Sequence, residues 1–194
     1  MKLILILVVI CLSSCKPVFI LLMGVHKPKL EDKESLVHYL NKKDLATDNI
    51  LVYDDSTVHN SKLIELNGIP EIRVFNKQGI LIYYKDTGSY CSGPAEAFTK
   101  SICSANDLLA NASKTLTSEL KSVVTLDNNP VVLSNDGSVD YYVLIYWARF
   151  VGALNKTKVR EWENNLKNVT GCKIWVAKVD MDWQKKWYEK KQNE

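Results

Sequence analysis

Five cysteines and three histidines carry most of the reactive chemistry that this 194-residue chain holds. The thiolate is the nucleophilic form of cysteine, and a helix N-terminus favours it. Cys91 stands just before Gly93-Pro94, at the start of a predicted helix, with Pro94 suited to the first turn. Cys91 is therefore the candidate reactive thiol. In an oxidising compartment the structural alternative is a disulfide among Cys91, Cys103 and Cys172. A Cys91–Cys103 bond needs the helix between them short or bent, because ten helical residues span about 15 Å. Cys91, Cys103 and Cys172 form no CxxC or zinc-ligand spacing, so no metal site is expected, nor is any cofactor. His26, His38 and His59 offer no catalytic triad, and His38 and His59 read as solvated helix residues. Asp54-Asp55 and Asp180 and Asp182 end predicted strands and read as helix caps, with Asp182 capping a helix from Trp183 to Lys190. Trp183 and Trp187 fall on one face of that helix, as packing residues.

The elements that would position such groups centre on Tyr141 to Asn155. Val143 to Trp147 is apolar, branched and aromatic, as in a strand buried on both faces. Val159, Trp162 and Leu166 recur at helical spacing after it. Gly152 lies at the turn between strand and helix.

This unit resembles the thioredoxin family, in which a buried strand ends in Trp-Ala and a Cys-Gly-Pro-Cys motif opens the next helix. Trp147-Ala148 and Gly152 match. Val151 and Leu154 occupy the two cysteine positions, and Ala153 replaces the proline. Hydrocarbon there cannot attack a disulfide, so the resemblance implies the scaffold without its dithiol. A second matching piece begins at Gly68-Ile69-Pro70. Two strands, Glu71 to Phe75 and Ile80 to Tyr84, are joined there by Asn-Lys-Gln-Gly. Pro70 stands where the family carries a proline that is usually cis and abuts the redox motif.

Elsewhere the pattern predicts a helix over 31–43, a strand over 49–55 and a helix over 60–66 with Leu63, Ile64 and Leu66 inward. It continues with a helix within 104–125, a small strand at Val131 to Leu133 and a strand ending at Asp180. The fold class expected is α/β, a thioredoxin-like mixed sheet flanked by helices, either rearranged or tandem. In the rearranged form 31–194 is one domain, in which the Tyr142–Trp147 strand completes the sheet begun by Ile50 to Asp54 and the hairpin. In the tandem form 17–105 and 126–194 are separate units, the second degenerate.

Met1-Lys2, the apolar run that follows and Leu12-Ser13-Ser14-Cys15 resemble a bacterial lipoprotein signal. That resemblance implies a signal peptide over 1–14, lipidation at Cys15 and a tether over 15–30. Each buried methylene of an acyl chain adds about 0.8 kcal/mol, so several chains anchor stably. Lys16 beside the lipid site favours the outer membrane over inner-membrane retention. A transmembrane helix over 3–23 would place Lys16-Pro17 at mid-membrane, which is costly. The chain is 46% hydrophobic and 24% charged, with a net charge of +3 and scattered basic residues. Nothing there suggests a nucleic-acid partner. Three functions follow as expectations: a lipid-anchored envelope protein with a redox-inactive fold in a binding or structural role, with an envelope protein as its partner; a thiol oxidoreductase or peroxidase relative using Cys91; or a membrane-anchored assembly subunit.

Overall fold

The computed structural model describes residues 22–66, 68–84, 93–104, 109–133 and 137–192. Cys15, Cys91 and the 1–21 segment lie outside the described residues. The elements run β1 (Leu30–Glu31), α1 (Lys33–Lys42), β2 (Ile50–Tyr53), α2 (Ser56–Glu65), β3 (Glu71–Asn76), β4 (Ile80–Tyr83) and α3 (Gly93–Ser101) in the first half. They continue with β5 (Leu109–Thr115), α4 (Leu116–Leu120), β6 (Val123–Thr125), β7 (Tyr141–Trp147), α5 (Arg160–Asn168), β8 (Ile174–Asp180), β9 (Trp183–Gln184) and α6 (Lys185–Gln192).

Seven strands form one mixed sheet in the order β5-β4-β3-β7-β8-β2-β6, and β1 pairs with β9 in a separate ribbon. The sheet thus draws on both halves of the chain, with β7 between the hairpin strand β3 and the later strand β8. β7 runs antiparallel to β3 and parallel to β8, and β2 runs parallel to β8. The fold is a mixed α/β sheet flanked by helices. Strand side chains alternate between faces, which gives two cores. Ile72, Val74, Val143, Ile145 and Trp147 meet α1, α3 and α5 on one face. Phe75, Leu144, Tyr146 and Val179 meet Leu63, Leu116 and Trp187 of α2, α4 and α6 on the other. Val143 to Trp147 are at most 1% exposed, as a strand covered on both faces requires.

Local chemistry explains the boundaries. Asp32 caps α1 and Asp55 caps α2, each accepting backbone N–H groups of the first turn. Asn76 accepts from the Gln78 and Ile80 amides and closes the hairpin turn. A disulfide joins Cys103, just after α3, to Cys172, just before β8.

Several expectations are corrected. The 104–125 stretch is not one helix: β5 pairs with β4, then a single capped helical turn leads into β6. Leu109 is 76% exposed, and Asn, Ser, Lys and Thr follow it, so no apolar helical stripe forms. Val131 to Leu133 forms no strand, and an isolated bridge at Pro130 is the nearest pairing. α2 starts earlier than expected because Asp55 caps it, and its inward stripe runs through His59 and Leu63, which leaves the adjacent Ile64 in solvent at 86% exposure. Trp183 and Trp187 do not share a helix face, because Trp183 belongs to β9.

Candidate functional site

The candidate site lies at the C-terminal ends of the parallel strands β7 and β8, where open α/β sheets place their ligands. Pairing of Glu71 with Tyr146 brings the Ile69–Pro70 peptide, which is cis, beside the Trp147 end of β7. Trp147 pairs with Asp180 across β7 and β8, and the Met181 amide donates to the Trp147 carbonyl at 2.8 Å. The structure thus gathers Pro70, Trp147, Val151, Gly152 and Leu154 about one end of one sheet.

What occupies the turn is hydrocarbon. Val151 is 5% exposed and lies in the same core cluster as Tyr146, Met181 and Trp187. Phe150 and Leu154 pack against that cluster, partly buried. Gly152 has φ of +63°, and a Cβ there would stand 2.2 Å from the Met23 carbonyl oxygen. Only glycine admits that approach. The His26 amide donates to the Phe150 carbonyl at 2.9 Å, so residues 23–26 run as a strap across the turn.

Beneath the turn is a polar cluster that sequence reasoning missed. Glu31 of β1, Asp180 of β8 and Asp182 are at most 3% exposed. The Arg149 guanidinium bonds Glu31, and the Arg149 backbone amide donates to Asp182. Gln184 of β9 donates to Asp180 at 2.6 Å. Burial pushes the Asp182 carboxyl up to about 6. Burial, then the Asp182 charge, raises Asp180 well above the usual carboxylate range. These two acids are core acceptors of hydrogen bonds, and Asp182 does not cap a helix. Asn155 donates to the Ala148 carbonyl at 2.6 Å and to the Tyr39 hydroxyl at 3.0 Å. Tyr39 stacks on Trp147 with ring centroids 5.9 Å apart, and the Arg149 guanidinium lies over the Tyr39 ring, 5.1 Å from its centroid. The arrangement is locked by side-chain bonds and rings. Among the described residues no group of three histidines, cysteines or acids is placed to hold a metal ion.

His59 departs from its expected surface position. It is fully buried between Tyr53 and Trp187, with Nε2 3.1 Å from the Met181 carbonyl, and burial lowers its pKa. That bond ties α2 to the segment after β8. His38 is exposed.

Two further ionic groups sit within the layers. Glu119 of α4 accepts from Arg73 of β3 at 2.6 Å, from Tyr146 of β7 at 2.6 Å and from Lys62 of α2 at 2.9 Å. Burial alone would raise the Glu119 carboxyl, but Arg73, Lys62 and Tyr146 together hold it below its ordinary value. On the opposite face Lys178 of β8 bonds Glu163 of α5 and the Ala46 carbonyl. The signal for both was a lone cation inside a strand, Arg73 in Glu-Ile-Arg-Val-Phe and Lys178 in Val-Ala-Lys-Val. A buried charge of that kind must be paired.

No family model, no curated protein and no solved structure matches this chain. Among the described residues no helix is long and apolar enough to cross a membrane.

Proposed function

We propose that this chain is a lipid-anchored protein of the bacterial cell envelope, tethered at the outer membrane through acyl chains on Cys15. Its domain is a rearranged thioredoxin-like scaffold that does no dithiol chemistry and serves a binding or structural role. One observation carries the reading: the position of the attacking thiol holds Val151, packed into the core with Met181 and Trp187. The Pro70 turn beside the Trp147 end of β7 and the parallel β7–α5–β8 unit support the thioredoxin-like half of the reading. The strap of residues 23–26 over the turn supports the redox-inactive half, because it covers the surface a disulfide substrate would need.

Membrane attachment is tested by growing cells with labelled palmitate. The full chain is expected to take up label and fractionate with the outer membrane, and Cys15→Ala is expected to do neither. An unlabelled wild-type chain would remove the anchor from this account.

A further inference from the structure

β8 is longer than the strand beside it. β2 pairs only with Lys178 to Asp180, which leaves the edge of β8 from Ile174 to Ala177 without a strand on that side among the described residues. The cause is local. Asn49 takes a left-handed backbone, with φ of +49°, and turns the chain away just before β2. Its side-chain amide stands in for one missing strand bond, donating to the Val176 carbonyl at 3.1 Å.

In a parallel ladder every second residue aims both backbone groups at the same neighbour. The Lys178 amide donates to the Asn49 carbonyl on the β2 side, so Val176 and Ile174 aim that way too. The Ile174 N–H and C=O and the Val176 N–H have no partner among the described residues. They open into a groove of about 690 Å³ bounded by β8, by Leu166 and Lys167 of α5 and by the 44–48 loop.

We propose that this groove binds an extended segment of a partner protein, which adds to the β8 edge as a strand. Unpaired main-chain donors and acceptors in alternation fit the backbone of another extended chain. At about 3.3 Å per residue, a segment of about four residues covers the edge from Ile174 to Ala177. Charge narrows the sequence. Glu163 pairs with Lys178, and Asp44 with Arg160 at 3.1 Å. Asp48 on the loop and Lys167 on α5 are exposed and without partners among the described residues. A complementary segment carries a basic residue for Asp48 and an acidic residue for Lys167, with apolar side chains toward Leu45, Leu166 and Ile174. This inference names the ligand class of the binding role proposed above and rests on it.

The test uses a displayed library of random twelve-residue peptides, panned on the full chain carrying Cys15→Ala. Enriched peptides are expected to hold both charge signs and to shift the amide resonances of Ile174 and Val176. They are expected to bind at least tenfold more weakly to D48K and to K167E, two surface changes that leave the core untouched. N-methylation of alternate peptide residues, which alters only the probe, is expected to abolish binding. No enrichment, resonance shifts elsewhere or indifference to N-methylation would overturn the proposal. So would concentration-dependent shifts of Ile174 and Val176 without peptide, since they would make a second copy the occupant. Failure here leaves the anchor and the redox-inactive scaffold standing, because neither depends on the groove.

Discussion

Replacing Cys103 and Cys172 together with alanine opens a loop of 69 residues' sequence separation. A cross-link of that span removes roughly 15 cal/mol/K of entropy from the unfolded chain, about 4 kcal/mol at 25 °C. Both cysteines are only partly buried against the core under α1, α3 and α5, so small alanines there remove little packing. Each kcal/mol moves the melting temperature by roughly 2–4 °C in a domain of this size, so a fall of ~8–16 °C is expected. The assay is thermal unfolding followed by far-ultraviolet circular dichroism, with and without a phosphine reductant. Wild type with reductant, Cys103→Ala alone and the double variant should melt together, and reductant should leave both variants unmoved. A melting temperature unchanged within about 3 °C would refute the reasoning. The α3 to β8 junction would then be held by packing alone.

Three other outcomes follow from the buried groups. Gly152→Ala places a methyl against the Met23 carbonyl on a left-handed backbone. It should cost about 2 kcal/mol or more in denaturant unfolding and should speed tryptic cleavage after Lys29; unchanged cleavage would mean that the strap does not rest on the turn. The raised carboxyls of Asp180 and Asp182 bind protons in the fold that the unfolded chain has released. The stability that Asp182 contributes is therefore present below about pH 4 and lost as pH rises through about 6, and Asp180 acts in the same direction. Wild type should unfold at lower urea at pH 7.5 than at pH 4.5, Asp182→Asn should flatten that dependence, and the opposite slope would contradict the assignment. Glu119→Gln removes the anion shared by Arg73, Lys62 and Tyr146. Breaking a buried pair costs about 3–5 kcal/mol, and a loss under ~1 kcal/mol by urea titration would show the cluster to be solvated.

The two strand-rich units were legible because their residues report locally. The apolar run Val143 to Trp147 reads as a doubly covered strand, and Asn76 to Gly79 read as a turn. Their union in one sheet was reachable from an incompleteness, since the first half lacked a central strand and the second lacked a hairpin. The stretch from Leu109 to Thr115 was not legible. It is an edge strand whose side chains mostly face water, so no alternation marks it. The polar cluster under the turn was not legible either. Glu31 and Gln184 face inward only because β1 and β9 pair across more than 150 residues. His59 was misplaced for a similar reason: its solvent is displaced by Tyr53 and Trp187 from other elements. Asp182 sits where a cap would sit, but the extended backbone of β9 follows it instead of a helix.

The central claim is that an oxidoreductase-like scaffold here does no dithiol chemistry. The most direct measurement is the turbidity assay of insulin reduction by dithiothreitol with the full chain as catalyst, alongside Cys91→Ser. The expected result is precipitation at the uncatalysed rate with both proteins. Acceleration by wild type that Cys91→Ser abolishes would contradict the account and make the chain a thiol-dependent enzyme.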